Sequence, residues 1–158
     1  MKMKLPFVMA VCFVLLASCG NIESTELTEF PSADNDKALE NELLGIINAH
    51  RSSLGYSPLQ FSSVAYQYAN NHTDYMISQG GLSHDNFNAR ASSISSEADA
   101  EMVAENVAKD YANAAAAFEG WLESADHRQT MEGDFTHTAL SVKKDVQGTY
   151  FYTQLFYR

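Results

Sequence analysis

The chain has 158 residues, 46% of them hydrophobic, and carries 20 Asp and Glu against 10 Lys and Arg, for a formal net charge of −10 at pH 7. That acidity argues against nucleic acid and against anionic lipid surfaces as partners through charge, since both recruit clustered Lys and Arg. The only cysteines are Cys12 and Cys19, so nothing after residue 19 can form a disulfide and stability must come from an ordinary core.

Lys2 and Lys4 precede an apolar run from Leu5 to Ala17 broken only by Pro6. This is the layout of a secretory signal, and it falls short of the roughly 20 apolar residues that a spanning helix needs. The run ends in Leu16-Ala17-Ser18-Cys19, which resembles the lipobox of bacterial lipoproteins. The resemblance implies cleavage before Cys19, acylation of that residue, and attachment of the exported protein to a membrane through its N-terminal lipid. Gly20 rather than Asp after the cysteine favours an outer membrane where the cell has one. Residues 1–18 are thus expected to be the signal. Residues 19–36 form the lipidated cysteine and a polar, acidic tether. Residues 37–158 form a single domain, a length that buries about two thirds of its unfolded surface.

Within that domain, Leu39, Leu43, Ile46, Ile47 and Leu54 follow the helical period and Gly55 ends the pattern, predicting a helix over 37–54. A loop through Tyr56 to Leu59 leads to a second helix over 62–79, with Ala65, Ala69, His72 and Met76 on one stripe and Gly80-Gly81 as its stop. The serine-rich stretch 84–100 has weak periodicity and reads as a loop that holds at most a short helical turn. Residues 102–108 could form a strand, although Ala and Glu are poor strand formers. The alanine run from 112 to about 124, with Phe118, Trp121 and Leu122, predicts a third helix continued around 128–131. From Thr138 the period changes to two, and two alternating runs across Asp145 to Gly148 predict a terminal β-hairpin. Helices first and antiparallel strands last give an α+β domain.

The domain has no Gly-x-Ser-x-Gly elbow, no His-Glu-x-x-His helix, no phosphate-cradling glycine loop and no nucleophilic cysteine. What remains is a sparse set of polar residues: His50, His72, His84, His127, His137 and Glu105. His72 on its alanine-lined stripe reads as packed, and His50 beside Arg51 at a helix end as structural. Two imidazoles and a carboxylate, here His84, His127 and Glu105, suffice as protein ligands for Zn²⁺ with an open position. Without metal the same groups could orient one another as base and partner, and a purely structural role fits them too. The three lie too far apart in sequence to share a helix face, so any convergence depends on the fold.

Six short motifs occur in order: Asn48-x-x-Arg51, Pro58-Leu59, Ser83-His84, Glu105-Asn106, Trp121-x-x-Ser124-x-x-His127-Arg128 and Tyr152-Thr153-Gln154-Leu155-Phe156. Together they resemble the bacterial, SCP-like branch of the CAP superfamily, which includes cysteine-rich secretory proteins, antigen 5 and plant pathogenesis-related proteins. The resemblance implies an α-β-α sandwich, with a small antiparallel sheet flanked by helices and a central cleft. It matches His84, Glu105 and His127 to the first His, first Glu and second His of that cleft, and makes His84 and His127 the candidates for a Zn²⁺ or other divalent cation. The place of a second Glu is held by Ser124, with Glu123 one residue earlier, and Asp126 puts a carboxylate next to His127.

The expected function is that of a lipid-anchored envelope protein whose cleft binds a small apolar or envelope-derived ligand or a protein, with no general catalytic activity implied by the fold. One alternative is a protease-like envelope hydrolase using His84, Glu105 and His127, with water as the attacking group because no side-chain nucleophile is present. Another is a structural envelope protein without a ligand. A monomer is expected.

Overall fold

The structure, a computed structural model, describes residues 33–158. The signal, Cys19 and most of the tether therefore lie outside the described residues. Nine elements follow in chain order: α1 (Lys37–Ser53), β1 (Gln60–Phe61), α2 (Ser63–Gln79), α3 (Phe87–Ala98), β2 (Val103–Lys109), α4 (Ala114–Glu123), α5 (Ala125–Met131), β3 (His137–Lys144) and β4 (Tyr150–Tyr157). The strands form one sheet in the order β1-β3-β4-β2. The hairpin β3–β4 and the pair β2–β4 are antiparallel, whereas the two-residue β1 adds to β3 in parallel. The sheet is thus mixed rather than wholly antiparallel, a difference made by a strand too short to leave a periodic signal.

Helices cover both faces, and the pleat sorts the side chains between them. Leu140, Val142, Tyr152, Phe156 and Ala108 join a core with Leu43 and Ile47 of α1 and Phe118 and Trp121 of α4. On the opposite face, Ala139, Leu155 and Tyr157 pack with Ala65 and Ala69 of α2 and Ile94 of α3. Double coverage buries the polar members of the hairpin as well. Lys143 is 2% exposed and donates to Asp74 of α2 at 2.6 Å, and Thr73 donates to Thr153 at 2.9 Å.

The caps agree with the sequence. Asp36 accepts from the Leu39 N–H at the start of α1, Ser62 accepts from Ala65 at the start of α2, and Gly80 closes α2 in the left-handed region at φ 68°. Residues 33–36, at the end of the segment read as a tether, lie against the sheet: Asn35 bridges to Lys143 and the Asp36 N–H donates to the Val142 carbonyl.

Serine-rich 87–98, expected to be mostly loop, is a 12-residue helix. Its cap residue Asn86 makes no side-chain cap bond, and only Arg90 and Ile94, one turn apart, are buried. Tertiary contacts through those two residues hold it, which is why its own sequence signals it so weakly.

Arg51 ties the loops together. It is 2% exposed, and its guanidinium donates to the carbonyls of Ser57, Met131, Gly133 and Phe135 at 3.1, 2.6, 2.9 and 3.3 Å. One cation thereby satisfies the α1–β1 loop and the α5–β3 connection at once. A lysine offers a point charge without the planar fork and would leave several of these buried carbonyls unpaired. Arg51→Lys is expected to lower unfolding free energy by about 3 kcal/mol, read from the midpoint of urea denaturation with an unchanged m-value.

Candidate functional site

Glu105 lies on β2, the strand at one edge of the sheet. In the β2–β4 ladder Met102 and Arg158 exchange both backbone bonds, and Asp110 donates to Tyr150. The even-numbered residues therefore bond β4, and the odd-numbered ones turn their N–H and C=O groups off the sheet edge. The outward carbonyl of Val107 accepts from the Trp121 indole at 3.1 Å. Further along, Val103, Ala104 and Glu105 line a cavity of about 220 Å³ together with His84, Phe87 and Thr130. The α2–α3 loop and the start of α3 form one wall, and α5 forms the other.

The Glu105 side chain is only 1% exposed. Its carboxylate accepts from Arg90 Nε at 3.0 Å and from Arg90 Nη2 at 2.8 and 2.9 Å, a forked pair with a guanidinium that is itself buried. Oε1 also lies 2.9 Å from His84 Nδ1 and 3.7 Å from His72 Nε2. A carboxylate accepts, so His84 Nδ1 carries a proton and, in the neutral ring, its Nε2 keeps the lone pair. His84 is 54% exposed in its side chain and lines the cavity.

His72, read as a packed histidine, is buried, and its Nε2 donates to the Ser83 carbonyl at 2.6 Å, fixing the residue before His84. Its pKa is lowered, first by burial and against the pull of the Glu105 charge.

His127 stands on α5, across the edge of β2 from His84. It is half-buried, with its Nδ1 on the buried side, and its backbone carbonyl accepts from Asn106 Nδ2 at 3.0 Å. Its pKa is also lowered, chiefly by burial, with the charge of His84 adding to the effect and Asp126 opposing it. The fold thus brings His84 and Glu105 into direct contact and sets His127 within electrostatic reach of His84. Ser124 sits at the junction of α4 and α5, and none of the hydrogen bonds of Glu105 or His84 involves it.

Sequence reading alone missed Arg90. It falls in no motif, and the signal was a lone cation one turn before Ile94 in a stretch whose other charges are all acidic and whose period is weak. Arg90 changes the chemistry of the site, because it and His84 together engage both oxygens of Glu105. Among the described residues, no three His, Cys, Asp or Glu side chains come together in a metal-binding arrangement. Glu105 serves as the anchor of an ion pair.

The helices on both faces of the sheet and this cleft at its edge define a CAP-type domain. The family profile described as CAP, cysteine-rich secretory protein family, matches residues 44–156, and the chain belongs to that family. It is 28% identical over 123 residues to the uncharacterized membrane protein YlbC of Bacillus subtilis (strain 168), a match covering 74% of this chain and 34% of that protein. The chain thus spans about a third of that relative's length. Among solved structures it is similar to an outer surface protein from Borrelia burgdorferi (TM-score 0.72, 15% identity, 80% of this chain and 96% of the other). It also resembles an extracellular protein containing a SCP domain from Bacillus anthracis str. Ames (TM-score 0.66, 24% identity, 77% and 40%). A third similar structure is a cysteine-rich secretory protein from Staphylococcus aureus subsp. aureus Mu50 (TM-score 0.65, 18% identity, 80% and 40%). No helix among the described residues is long and apolar enough to cross a membrane.

The lowered values of His72 and His127 give stability a defined pH dependence. Below the ordinary imidazole value of about 6.5 the unfolded chain binds more protons than the folded one, so these residues' contribution is complete above that pH and is lost as pH falls. Urea midpoints measured between about pH 8 and pH 5 should be flat at the top and decline below about 6.5, with a shallower decline in His72→Gln. Glu105→Gln leaves Arg90 as a buried cation without its counter-charge and should cost about 3 kcal/mol in the same assay.

Proposed function

We propose that this chain is an exported, lipid-anchored envelope protein whose CAP domain is a binding module, with the cleft at His84, Glu105 and His127 as its ligand site. The observation that carries the reading is the engagement of Glu105 by Arg90 and His84. A carboxylate whose oxygens are taken up by a forked guanidinium is a poor metal ligand, yet it holds His84 in place through Nδ1. The cavity beside it presents Phe87, Val103 and Ala104 next to the polar groups of His84 and Thr130. That lining suits a small amphipathic molecule with an apolar body and a hydroxyl or amine that donates to His84 Nε2. The extracellular and outer-surface proteins among its structural neighbours show a similar fold and are compatible with an exported module. Anchoring rests on Cys19.

A second reading has one observation in its favour. The His84–Glu105 pair has the base-and-orienter geometry of a general base, which could activate water in a hydrolase. The two readings part on a single comparison. Full-length protein purified from its own envelope and examined by native mass spectrometry should retain a small apolar-bodied ligand, and His84→Ala should lose at least about tenfold in occupancy, the share of one anchoring polar contact. Turnover of envelope polymer or peptide that disappears in His84→Ala, with no ligand retained by the wild type, would establish the hydrolase instead. Stoichiometric zinc in the wild type, lost in both His84→Ala and His127→Ala, would overturn the metal-free cleft. Cys19→Ala should move the protein from the membrane pellet to the soluble fraction.

A further inference from the structure

Three buried side-chain nitrogen or oxygen atoms have no hydrogen-bond partner among the described residues: Asn106 Oδ1, Gln154 Oε1 and His127 Nδ1. They lie together. Asn106 and Gln154 face each other across β2 and β4 as a hydrogen-bonded pair, and Asn106 reaches the backbone of His127 at 3.0 Å. Asn106 is 1% exposed and Gln154 is 0% exposed.

The orientation of both amides is fixed by their neighbours. Asn106 must present its nitrogen to the His127 carbonyl, which can only accept, so Oδ1 points the other way. Thr138 gives its hydroxyl proton to the Leu155 carbonyl at 2.7 Å, so its oxygen must accept from Gln154 Nε2 at 3.1 Å, and Gln154 Oε1 is left over. Two pure acceptors cannot satisfy each other. Directly opposed residues of this kind have Cα atoms about 5.5 Å apart, so the two side chains stand side by side on one face of the sheet. Leaving both acceptors unmet would cost about 1 to 3 kcal/mol each.

We infer that Asn106, Gln154 and His127 enclose a water-binding site beneath the cleft, and that the water held there sets the tautomer of His127. The water donates one proton to Asn106 Oδ1 and the other to Gln154 Oε1. With both protons engaged it presents only lone pairs to His127, so Nδ1 of the neutral ring carries the proton and Nε2 keeps its lone pair. Glu105 imposes the same tautomer on His84 from the other side of the strand. Both histidines then offer Nε2 acceptors, so the matching group on a ligand is a hydrogen-bond donor such as a hydroxyl or an ammonium. Asn106 and Gln154 are positioning residues that act through the water.

This inference deepens the reading of the cleft as a binding site, and its test reads the imidazole ring itself. Nitrogen-15 spectra of histidine-labelled protein at about pH 8, where the ring is neutral, should show His127 as the Nδ1–H tautomer. Cross-peaks from the Asn106 side-chain amide to a long-lived water are expected in the same sample. Gln154→Met removes one acceptor and frees a water proton for Nδ1, so the ratio of Nδ1–H to Nε2–H should fall about fivefold. Dominance of Nε2–H in the wild type would overturn the inference, as would absence of the water cross-peaks or an unchanged ratio in a folded Gln154→Met. The wild-type measurements decide the matter if that variant does not fold. A cleft that retains no ligand while His127 keeps the Nδ1–H form would remove the binding reading and leave this one standing.

Discussion

The ion pair between Glu105 and Arg90 organises this half of the molecule. Removing a carboxylate and a guanidinium from water costs several kcal/mol per ion, and the pair is stable because the fork fills both oxygens while two histidines surround the rest. The arrangement has structural consequences on every side. It gives α3 a fixed position that its serine-rich sequence does not provide, and it orients the α2–α3 loop through His84. It also places His72 beneath the carboxylate, where burial outweighs the nearby negative charge and keeps the imidazole's proton affinity low.

The pleat of β2 extends this control across the sheet. Glu105 and Asn106 are neighbours in sequence and point to opposite faces. The first holds Arg90 and His84 on the α2–α3 side, and the second holds the backbone of His127 on the α5 side. The two walls of the cleft are therefore positioned from adjacent residues on one strand, so their relative placement is set by strand geometry rather than by the longer loops around them. A slip of one residue in the β2–β4 register would exchange the two side chains and dismantle both walls.

The sequence made the long periodic elements plain. α1 and α2 show clear apolar stripes and cap or stop residues, and the hairpin shows its alternation and its turn. His84, Glu105 and His127 were singled out through ordered motifs, since nothing in their spacing alone relates them; the structure puts His84 against Glu105 and lines the cavity with both, while His127 stands on α5 outside that lining. Three features were hidden for physical reasons. α3 is held by Arg90 and Ile94, a tertiary effect that overrides weak local propensity. Ser141 and Lys143 occupy the polar phase of an alternating strand, which normally faces water, but the helix on that face buries them and pairs Lys143 with Asp74. Asn106 and Gln154 are set opposite each other only through strand pairing, which no one-dimensional pattern records.

The indole of Trp121 on the Val107 carbonyl has a consequence for how copies of this protein coexist. An open edge strand is a template on which a second chain can lay down another strand, and β2 is such an edge. Trp121 occupies an outward acceptor in the middle of that strand, and α4 and α5 stand over it. At the other edge β1 contributes only two residues, and Asn35 bridges to β3 beyond them. Among the described residues, the indole and the two helices thus shield part of one border, and the other is only two residues long, so each leaves a neighbouring strand less backbone to pair with than a bare edge would.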